Sequence, residues 1–222
     1  YRVAPASAKA TIPTVSFATT AEAAIALKSP NPATRYIAWQ KLRTAGAEAE
    51  PELLKLWADT NPRVRSRALF LLAQIKGREN IHLTAGLSDP DPQIRTATFR
   101  LIRTLTRSRG LASSVLETNQ ALAAKLVKDP SPQVRREMAL SLHGAKDIAP
   151  MWAALAQQHD GKDRWYLEAL GIGAAGQEDA CLTAWLAAVG EKWNTPGGRD
   201  IVWRLRSPAT AEYLAKILTD QA

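Results

Sequence analysis

Residue types that build disulfide and metal sites are scarce in this sequence of 222 residues. Cys181 is the only cysteine, so an internal disulfide is excluded, and we expect its thiol to be a small buried apolar group. The three histidines, His82, His143 and His159, are far apart, and none is paired with a carboxylate at metal-ligand spacing on one helix. The sequence therefore predicts no metal site and no cofactor.

Long apolar runs are also absent. No stretch approaches the roughly 20 consecutive apolar residues of a membrane-spanning helix, and no signal-peptide pattern is found, so we expect no membrane insertion by this segment. The chain begins with Tyr1 and not with Met, in the middle of a strand-like Tyr-Arg-Val. We therefore expect it to be a domain excised from a longer protein.

The charge is basic and unevenly distributed along the chain. The net charge is +8, and residues 1–111 carry 17 Lys and Arg against 8 Asp and Glu, whereas residues 112–222 carry 12 against 13. A one-sided field of this kind attracts acidic proteins, nucleic acids or anionic lipids, but arginine-rich solvated helix faces have the same composition. Charge alone leaves both interpretations open.

One short motif occurs four times: a capping residue, a proline, two further residues and an arginine. Its prolines are 30, 30 and 40 residues apart, which is the period of a two-helix solenoid unit. Asn, Asp or Ser accepts a hydrogen bond from a free N–H at a helix start, and proline loses no bond at the first helical position, so each motif predicts a helix. The repeat positions are Pro32, Arg35, Pro62, Arg65, Pro92, Arg95, Pro132 and Arg135.

The pattern around these motifs predicts an all-α chain. Residues 1–20, which are rich in Ala, Ser, Thr and Pro, are predicted to be an extended linker, and residues 21–222 a helical domain. The predicted helices cover residues 21–28, 32–44, 50–58, 62–76, 79–88, 92–107, 117–128, 132–143, 149–158, 162–174, 178–189, 198–206 and 208–219.

The four repeat arginines are predicted to be structural. Each stands three residues after its proline and faces the preceding turn, and Asp59, Asp89 and Asp129 lie six residues upstream of the last three arginines. Because a guanidinium pairs bidentately with carboxylates or binds helix-end carbonyls, we expect an Asp–Arg ladder between the turns.

The repeated Asp-x-x-x-x-Val-Arg pattern, with paired amphipathic helices, resembles HEAT repeats. The resemblance implies a right-handed α-α superhelix, a HEAT-like solenoid, of about six helix pairs. It also implies that the second helix of each pair lines the concave face, which in such solenoids generally contacts protein or nucleic acid.

Three longer segments are similar to the helical middle region of planctomycete-type membrane-bound dehydrogenases. They are Ser29-Pro-Asn-Pro-Ala-Thr-Arg-Tyr-Ile-Ala, Asp163-Arg-Trp-Tyr-Leu-Glu-Ala-Leu-Gly-Ile-Gly and Gly198-Arg-Asp-Ile-Val-Trp-Arg-Leu-Arg-Ser-Pro. That family places a β-propeller before this region and a c-type cytochrome domain after it. Since this sequence has no Cys-x-x-Cys-His for haem, the resemblance implies a spacer or docking domain in a periplasmic or otherwise extracytoplasmic redox protein.

Two groups of side chains are candidate partner-binding residues. Arg100, Arg103 and Arg107 recur at three- and four-residue spacing on one helix face, opposite an apolar stripe. With Arg63 and Arg67 of the previous repeat they form either a basic groove for an acidic protein or a phosphate backbone, or a solvated face.

The second group follows two glycines that predict an unusual turn, Gly197 and Gly198. Arg199, Trp203 and Arg204 form either a partner site or a structural Arg–Trp stack. Most of the seven tryptophans are expected in the core, with one or two as exposed anchors.

Other candidates for chemistry have structural interpretations. The segment Gly171-Ile-Gly173-Ala-Ala-Gly176 follows a helix and not a strand, so it is predicted to be a helix C-cap and turn, not a dinucleotide loop. Asp163 lies near a helix start, where a carboxylate offsets the positive end of the helix dipole, and Glu168 falls on the same helix. The sequence thus predicts no catalytic residue.

The leading hypothesis is therefore a non-catalytic scaffold whose basic N-terminal half contacts a neighbouring domain or subunit. The alternative is a nucleic-acid-binding solenoid, such as a HEAT-like DNA glycosylase, motivated by the charge, the arginine stripes and the scattered tryptophans. The Trp-Trp-Asp pattern of those glycosylases is not found in this sequence. A third class, an enzyme regulator similar to phycobilin lyase-like HEAT proteins, shares the repeat and has no support from individual residues.

Overall fold

The computed structural model describes residue 7 and residues 14–109 and 120–219, without the side chains of residues 106–109 and 120. Every regular element in these ranges is a helix, which confirms the all-α prediction for them. None of the described helices is long and apolar enough to cross a lipid bilayer. Most of the linker predicted at residues 1–20 lies outside the described residues. The chain divides into two compact units, Tyr1–Glu79 and Asn80–Ala222.

The first unit consists of two helix pairs. They are α1 (Thr20–Ala26) with α2 (Pro32–Ala45) and α3 (Glu50–Trp57) with α4 (Pro62–Leu72), and a short 3-10 helix, Gly46–Ala49, joins the pairs. The first helices, α1 and α3, contact each other, as do the second helices, α2 and α4, so the unit has two layers. Leu42, Leu53 and Ala68 are among the buried apolar residues between them.

The second unit is also built of first and second helices in two layers. Its helices are α5 (Glu79–Leu87), α6 (Pro92–Arg109), α7 (Gln120–Val127), α8 (Pro132–Ser141), α9 (Ala149–Ala156), α10 (Arg164–Gly173), α11 (Glu178–Val189), α12 (Pro196–Arg204) and α13 (Thr210–Thr219). Helices α6, α8, α10 and α12 pack in succession as second helices, and α7, α9 and α11 pack in succession as first helices. Large side chains such as Trp152, Phe99 and Met138 fill the space between the layers.

The repeat motif starts helices as the capping chemistry predicts. Asn31 Oδ1 accepts the N–H of Ala33 at 2.9 Å, and Asn61 Oδ1 accepts the N–H of Arg63 at 3.0 Å. Each repeat arginine then donates from Nη1 to the two carbonyls six and five residues upstream. At Arg35 these carbonyls are those of Ser29 and Pro30, both at 2.8 Å. The same pair of bonds occurs at Arg65, Arg95 and Arg135.

The aspartates of the motif act mainly on the turn itself. Asp59 Oδ1 accepts the N–H of Asn61 at 2.8 Å, which closes the turn before α4. Pairing between turns occurs where Arg95 binds both carboxylate oxygens of Asp129, at 2.7 and 2.8 Å. In the first unit Lys28 Nζ, 2.6 Å from Asp59 Oδ2, supplies the ion pair between turns. The ladder thus uses a lysine as well as an arginine.

Many helix boundaries differ from those predicted, most of them by one or two residues, and two of the differences have a clear local cause. Helix α4 ends at Leu72 and not at residue 76, because the chain passes through turns to Gly77, whose φ of +80° ends the helical path. Helix α12 begins at Pro196 and not at residue 198, because Thr195 caps the N–H of Gly198 at 3.1 Å. Gly197 and Gly198 therefore lie in the first turn of the helix, not in a turn before it.

Candidate functional site

The second helices of the first unit carry cations and no carboxylate. Helix α2 contains Arg35, Lys41 and Arg43, and α4 contains Arg63, Arg65 and Arg67. Acidic side chains lie instead on the first helices, with Glu22 on α1 and Glu50 and Glu52 on α3. The two layers of this unit therefore differ in charge, and the second-helix layer is the basic one.

A groove of about 320 Å³ lies between α2 and α4 and is called the α2–α4 groove below. Tyr36 and Phe70 line it with exposed fractions of 59% and 39%. Tyr36 stacks on Trp39 with ring centroids 6.3 Å apart, and the Arg43 guanidinium lies 5.0 Å from the Trp39 centroid. The lining residues are Leu27, Pro32, Arg35, Tyr36, Trp39, Ser66, Arg67 and Phe70.

Two arginines, Arg35 and Arg67, line this groove, and Arg63 stands four residues before Arg67 on α4. Arg67 is half-buried, and its Nη1 donates to the carbonyl of Leu27 at 2.6 Å. Burial lowers the pKa of Arg67, and the positive charges of Arg35 and Arg63 lower it further. No carboxylate among the described residues forms an ion pair with any of these three arginines. The groove therefore combines exposed aromatic rings with positive charge that no described carboxylate pairs with.

Two arginines of the basic stripe predicted in the third repeat share one carboxylate of the next repeat. Arg100 Nη2 lies 2.7 Å from Glu137 Oε1, and Arg103 Nη2 lies 2.8 Å from Glu137 Oε2. Glu137 is buried on α8, so one carboxylate holds two guanidiniums across the helix pair. The side chain of Arg107 lies outside the described residues. Sequence analysis missed Glu137, although it is the only acidic residue on its helix and stands five residues after the repeat proline Pro132.

The three candidates on α12 separate in the structure. Arg204 Nε donates to Glu168 Oε2 at 2.8 Å, and Arg199 Nε donates to Asn194 Oδ1 at 2.7 Å. Trp203 projects outward with 64% of its surface exposed. The predicted Arg–Trp stack is wrong for Arg204, because its guanidinium lies against Gly171 of α10 and pairs with the Glu168 carboxylate on the same helix.

A second groove, of about 430 Å³, lies along α8 and α10. Its lining residues are Arg100, Arg136, Glu137, Leu140, Trp165, Glu168, Ala169 and Ile172. Trp165 is 73% exposed, whereas Trp152 and Trp185 are buried. Trp152, Trp185 and Trp193 are buried, Trp39 and Trp57 are partly buried against the core, and Trp165 and Trp203 are exposed. That the two exposed tryptophans act as anchors stays a prediction.

The glycine-rich segment has a different role from the predicted C-cap. Gly171 and Gly173 lie inside α10, where a side chain would overlap the Arg204 guanidinium and the backbone carbonyl of Ala139, respectively. Only Gly176, with φ of +84°, forms the turn after the helix. The first two glycines therefore permit close packing against α12 and α8.

The candidate metal and thiol residues have structural surroundings. Among the described residues no group of three His, Cys, Asp or Glu side chains could hold a metal ion. His159 is buried with Nε2 3.2 Å from Asp200 Oδ2, and its ring stacks on Tyr166. Cys181 is buried as predicted, and burial raises the pKa of its thiol to about 12.

Comparison with known proteins supports a HEAT-like domain. Residues 21–103 match the family model of HEAT repeats, and the match ends inside α6. The all-α class of the described residues, together with this match, is consistent with a helical solenoid. HEAT repeats generally serve as scaffold or interaction modules. No curated protein matches the chain.

Proposed function

We propose that this chain is a non-catalytic interaction domain that binds a partner protein through its second-helix layer. The observation that carries this proposal is the α2–α4 groove, where the exposed rings of Tyr36 and Phe70 lie beside Arg67, a cation with which no described carboxylate forms an ion pair. Tyr and Arg are enriched at the centres of protein interfaces, because each combines a large contact area with directed hydrogen bonds. Such a surface suits a docking role.

We also propose that the domain connects a dehydrogenase head to an electron acceptor in a larger extracytoplasmic protein. This part of the proposal is supported by the three segments that are similar to planctomycete-type membrane-bound dehydrogenases, which begin at Ser29, Asp163 and Gly198. In this arrangement the redox chemistry belongs to the neighbouring domains, and the helical domain sets their distance and orientation.

The coding sequence on both sides of residues 1 and 222 tests the connector role. A β-propeller upstream and a Cys-x-x-Cys-His motif downstream support it. A start codon directly before residue 1 and a stop codon directly after residue 222 contradict it, and leave a free-standing interaction domain.

Steady-state kinetics test the non-catalytic assignment. The purified chain, supplied with aldose sugars and an artificial electron acceptor, is expected to show no turnover above a protein-free blank. Turnover that is proportional to chain concentration and is lost on heat denaturation would contradict the assignment.

The second candidate function is nucleic-acid binding, which the carboxylate-free helices α2 and α4 favour. Phosphate backbones bind through many successive cations, and binding weakens steeply as salt rises. In the described part of the second unit, Arg100, Arg103 and Arg204 already pair with carboxylates, so fewer cations remain there to bind a phosphate backbone. Absence of duplex DNA binding at about 50 mM salt would remove this candidate.

A further inference from the structure

We infer that the α2–α4 groove binds an acidic peptide segment that also carries one large apolar side chain. This inference rests on the proposed function and names the chemistry of the partner. Its carboxylates would pair with Arg35 and Arg67 in the groove and with the exposed Arg63 on α4 beside it, and its apolar side chain would enter between Tyr36 and Phe70.

The charge of the groove points to an anionic ligand. Burial is the main reason that the pKa of Arg67 is lowered, and repulsion from the positive charges of Arg35 and Arg63 lowers it further. A carboxylate that enters the groove offsets this repulsion and gains charge-assisted hydrogen bonds at the same time. In the second unit Arg100 and Arg103 share the carboxylate of Glu137, whereas no described carboxylate forms an ion pair with Arg35, Arg63 or Arg67.

Two of the guanidiniums are already held in position. Arg35 Nη1 is fixed by the carbonyls of Ser29 and Pro30, and Arg67 Nη1 by the carbonyl of Leu27. Because these side chains are ordered before a ligand arrives, binding costs less side-chain entropy than it would at free surface arginines. This preorganisation distinguishes the groove from an ordinary solvated basic face.

The aromatic lining indicates an apolar anchor on the ligand. A volume of about 320 Å³ lies at the lower end of ligand pockets, which suits a few side chains of a peptide and not a folded domain. Phe70 and Tyr36 are large side chains that remain exposed at the groove. Covering them with an aliphatic or aromatic side chain would remove apolar surface from water.

The ring geometry favours a peptide over a single-stranded nucleic acid. Bases bind such proteins by stacking on open aromatic faces along a basic groove. Here Trp39 is stacked with Tyr36, and the Arg43 guanidinium lies over the Trp39 ring, so the larger aromatic face is already covered. Ring edges and the Phe70 side chain remain accessible, and these suit contact with an apolar side chain.

Selection from a random twelve-residue peptide library on the immobilised full chain tests the inference. We expect the selected peptides to be enriched in Asp and Glu around one Phe, Leu, Ile or Trp. The affinity of a synthetic copy of a selected peptide is expected to fall roughly tenfold for the R63Q/R67Q double variant. Tyr36→Ala should weaken binding of the same peptide without changing its dependence on salt.

Matched variants keep the test interpretable. Lys41→Gln removes one positive charge from α2, at an exposed position away from the groove lining, and should leave peptide affinity within about twofold. If the double variant misfolds, Arg63→Gln alone is tested in its place, because the Arg63 side chain is exposed and its replacement should leave the fold intact. Circular dichroism and a melting curve on each variant check the fold.

Several outcomes would overturn the inference. Selected peptides without acidic enrichment would do so, as would equal losses of affinity for Arg63→Gln and Lys41→Gln. A competition assay with the labelled peptide compares oligothymidine with the unlabelled peptide as competitors. If oligothymidine displaces the labelled peptide at the lower concentration, the groove is assigned to nucleic acid instead. If the inference fails while the chain still binds a neighbouring propeller or cytochrome domain, the proposed function stands.

Discussion

Arg67 and Glu137 occupy the same position of their repeats, five residues after the repeat proline, with opposite charge. Arg67 adds a third guanidinium to Arg35 and Arg63, whereas Glu137 receives Arg100 and Arg103 in two ion pairs. Both residues stand on second helices that begin at the repeat proline. At this repeat position one side chain therefore adds a cation to the second-helix surface, and the other supplies a carboxylate that pairs with two cations.

The two glycines of α10 should differ in their tolerance of alanine. At Gly173 a Cβ would overlap the backbone carbonyl of Ala139, so α8 must move, and we expect Gly173→Ala to destabilise the fold by about 2 kcal/mol. At Gly171 the overlap is with the mobile end of Arg204, and alanine gains about 0.5–1 kcal/mol of helix preference, so Gly171→Ala should change stability by less than about 1 kcal/mol. Urea unfolding measures both, and equal losses would contradict this packing.

Asp59 should contribute to stability in a pH-dependent way. Its hydrogen bond with Lys28, and secondly the N–H of Asn61, hold its pKa below the ordinary value of 3.8. Because the folded-state pKa is lower than the unfolded one, the contribution is present above about pH 4 and is lost as pH falls through the folded-state value. Melting temperatures should show wild type above Asp59→Asn near neutral pH, with the difference shrinking below about pH 4. A difference that stays constant down to about pH 3 would rule out this linkage.

At the scale of the element, each repeat turn is a local unit that starts a helix. The capping side chain accepts an N–H of the first helical turn at Asn31, Asn61 and Asp91, and the proline and arginine complete the turn. These contacts lie within six residues of one another, so the sequence was sufficient to predict the starts of α2, α4, α6 and α8.

The caps themselves are not equivalent, and this difference can be measured. Asn61 Oδ1 accepts the N–H of Arg63, whereas the Ser131 side chain makes no capping hydrogen bond to α8. We expect Asn61→Ala to cost about 1 kcal/mol of stability and Ser131→Ala only a few tenths. Chemical unfolding of the two variants beside wild type provides the comparison. A larger loss at Ser131 would show that the serine contributes by another route.

Elements that depend on the next helix were harder to predict. The 3-10 segments Gly46–Ala49 and Gly190–Trp193 follow helices that end at glycines with φ of +58° and +55°, and sequence analysis assigned neither segment. The close approach of α10 to α8 and α12 was likewise missed, and its glycines were assigned to a turn. In each case the conformation is determined by a neighbouring element and not by local propensity.

At the scale of the whole molecule, the net charge of +8 is a poor guide to where an anion would bind. In the second unit Arg95, Arg100, Arg103 and Arg204 form ion pairs with carboxylates. At the α2–α4 groove, Arg35, Arg63 and Arg67 form no ion pair with a described carboxylate, although their positive charges lie close together.

Releasing a neutralised pair should therefore create a new basic site. Glu137→Gln removes the carboxylate that pairs with Arg100 and Arg103. Because both guanidiniums can then bind sulfate groups, the variant protein should elute from a heparin column at higher salt than wild type. Glu48→Gln is the matched control, because it makes the same change in net charge at an exposed position. We expect Glu137→Gln to cost about 1–3 kcal/mol of stability, less than a fully buried pair, because Arg100 is 55% exposed. Coelution of the two variants would show that net charge alone governs binding.

The sequence by itself determined the all-α class, the starts of the four helices that follow the repeat motif, the absence of an internal disulfide and the basic character of the N-terminal half. These follow from capping, proline geometry and composition, which act over a few residues or require only counting. The tertiary structure decided which arginines pair with carboxylates. Arg95 and Asp129 are 34 residues apart in the chain, Arg204 and Glu168 are 36 apart, and Arg100 and Glu137 are 37 apart. Ion pairs over such separations depend on how successive helix pairs pack, so the sequence could supply the charges and only the fold could assign their partners.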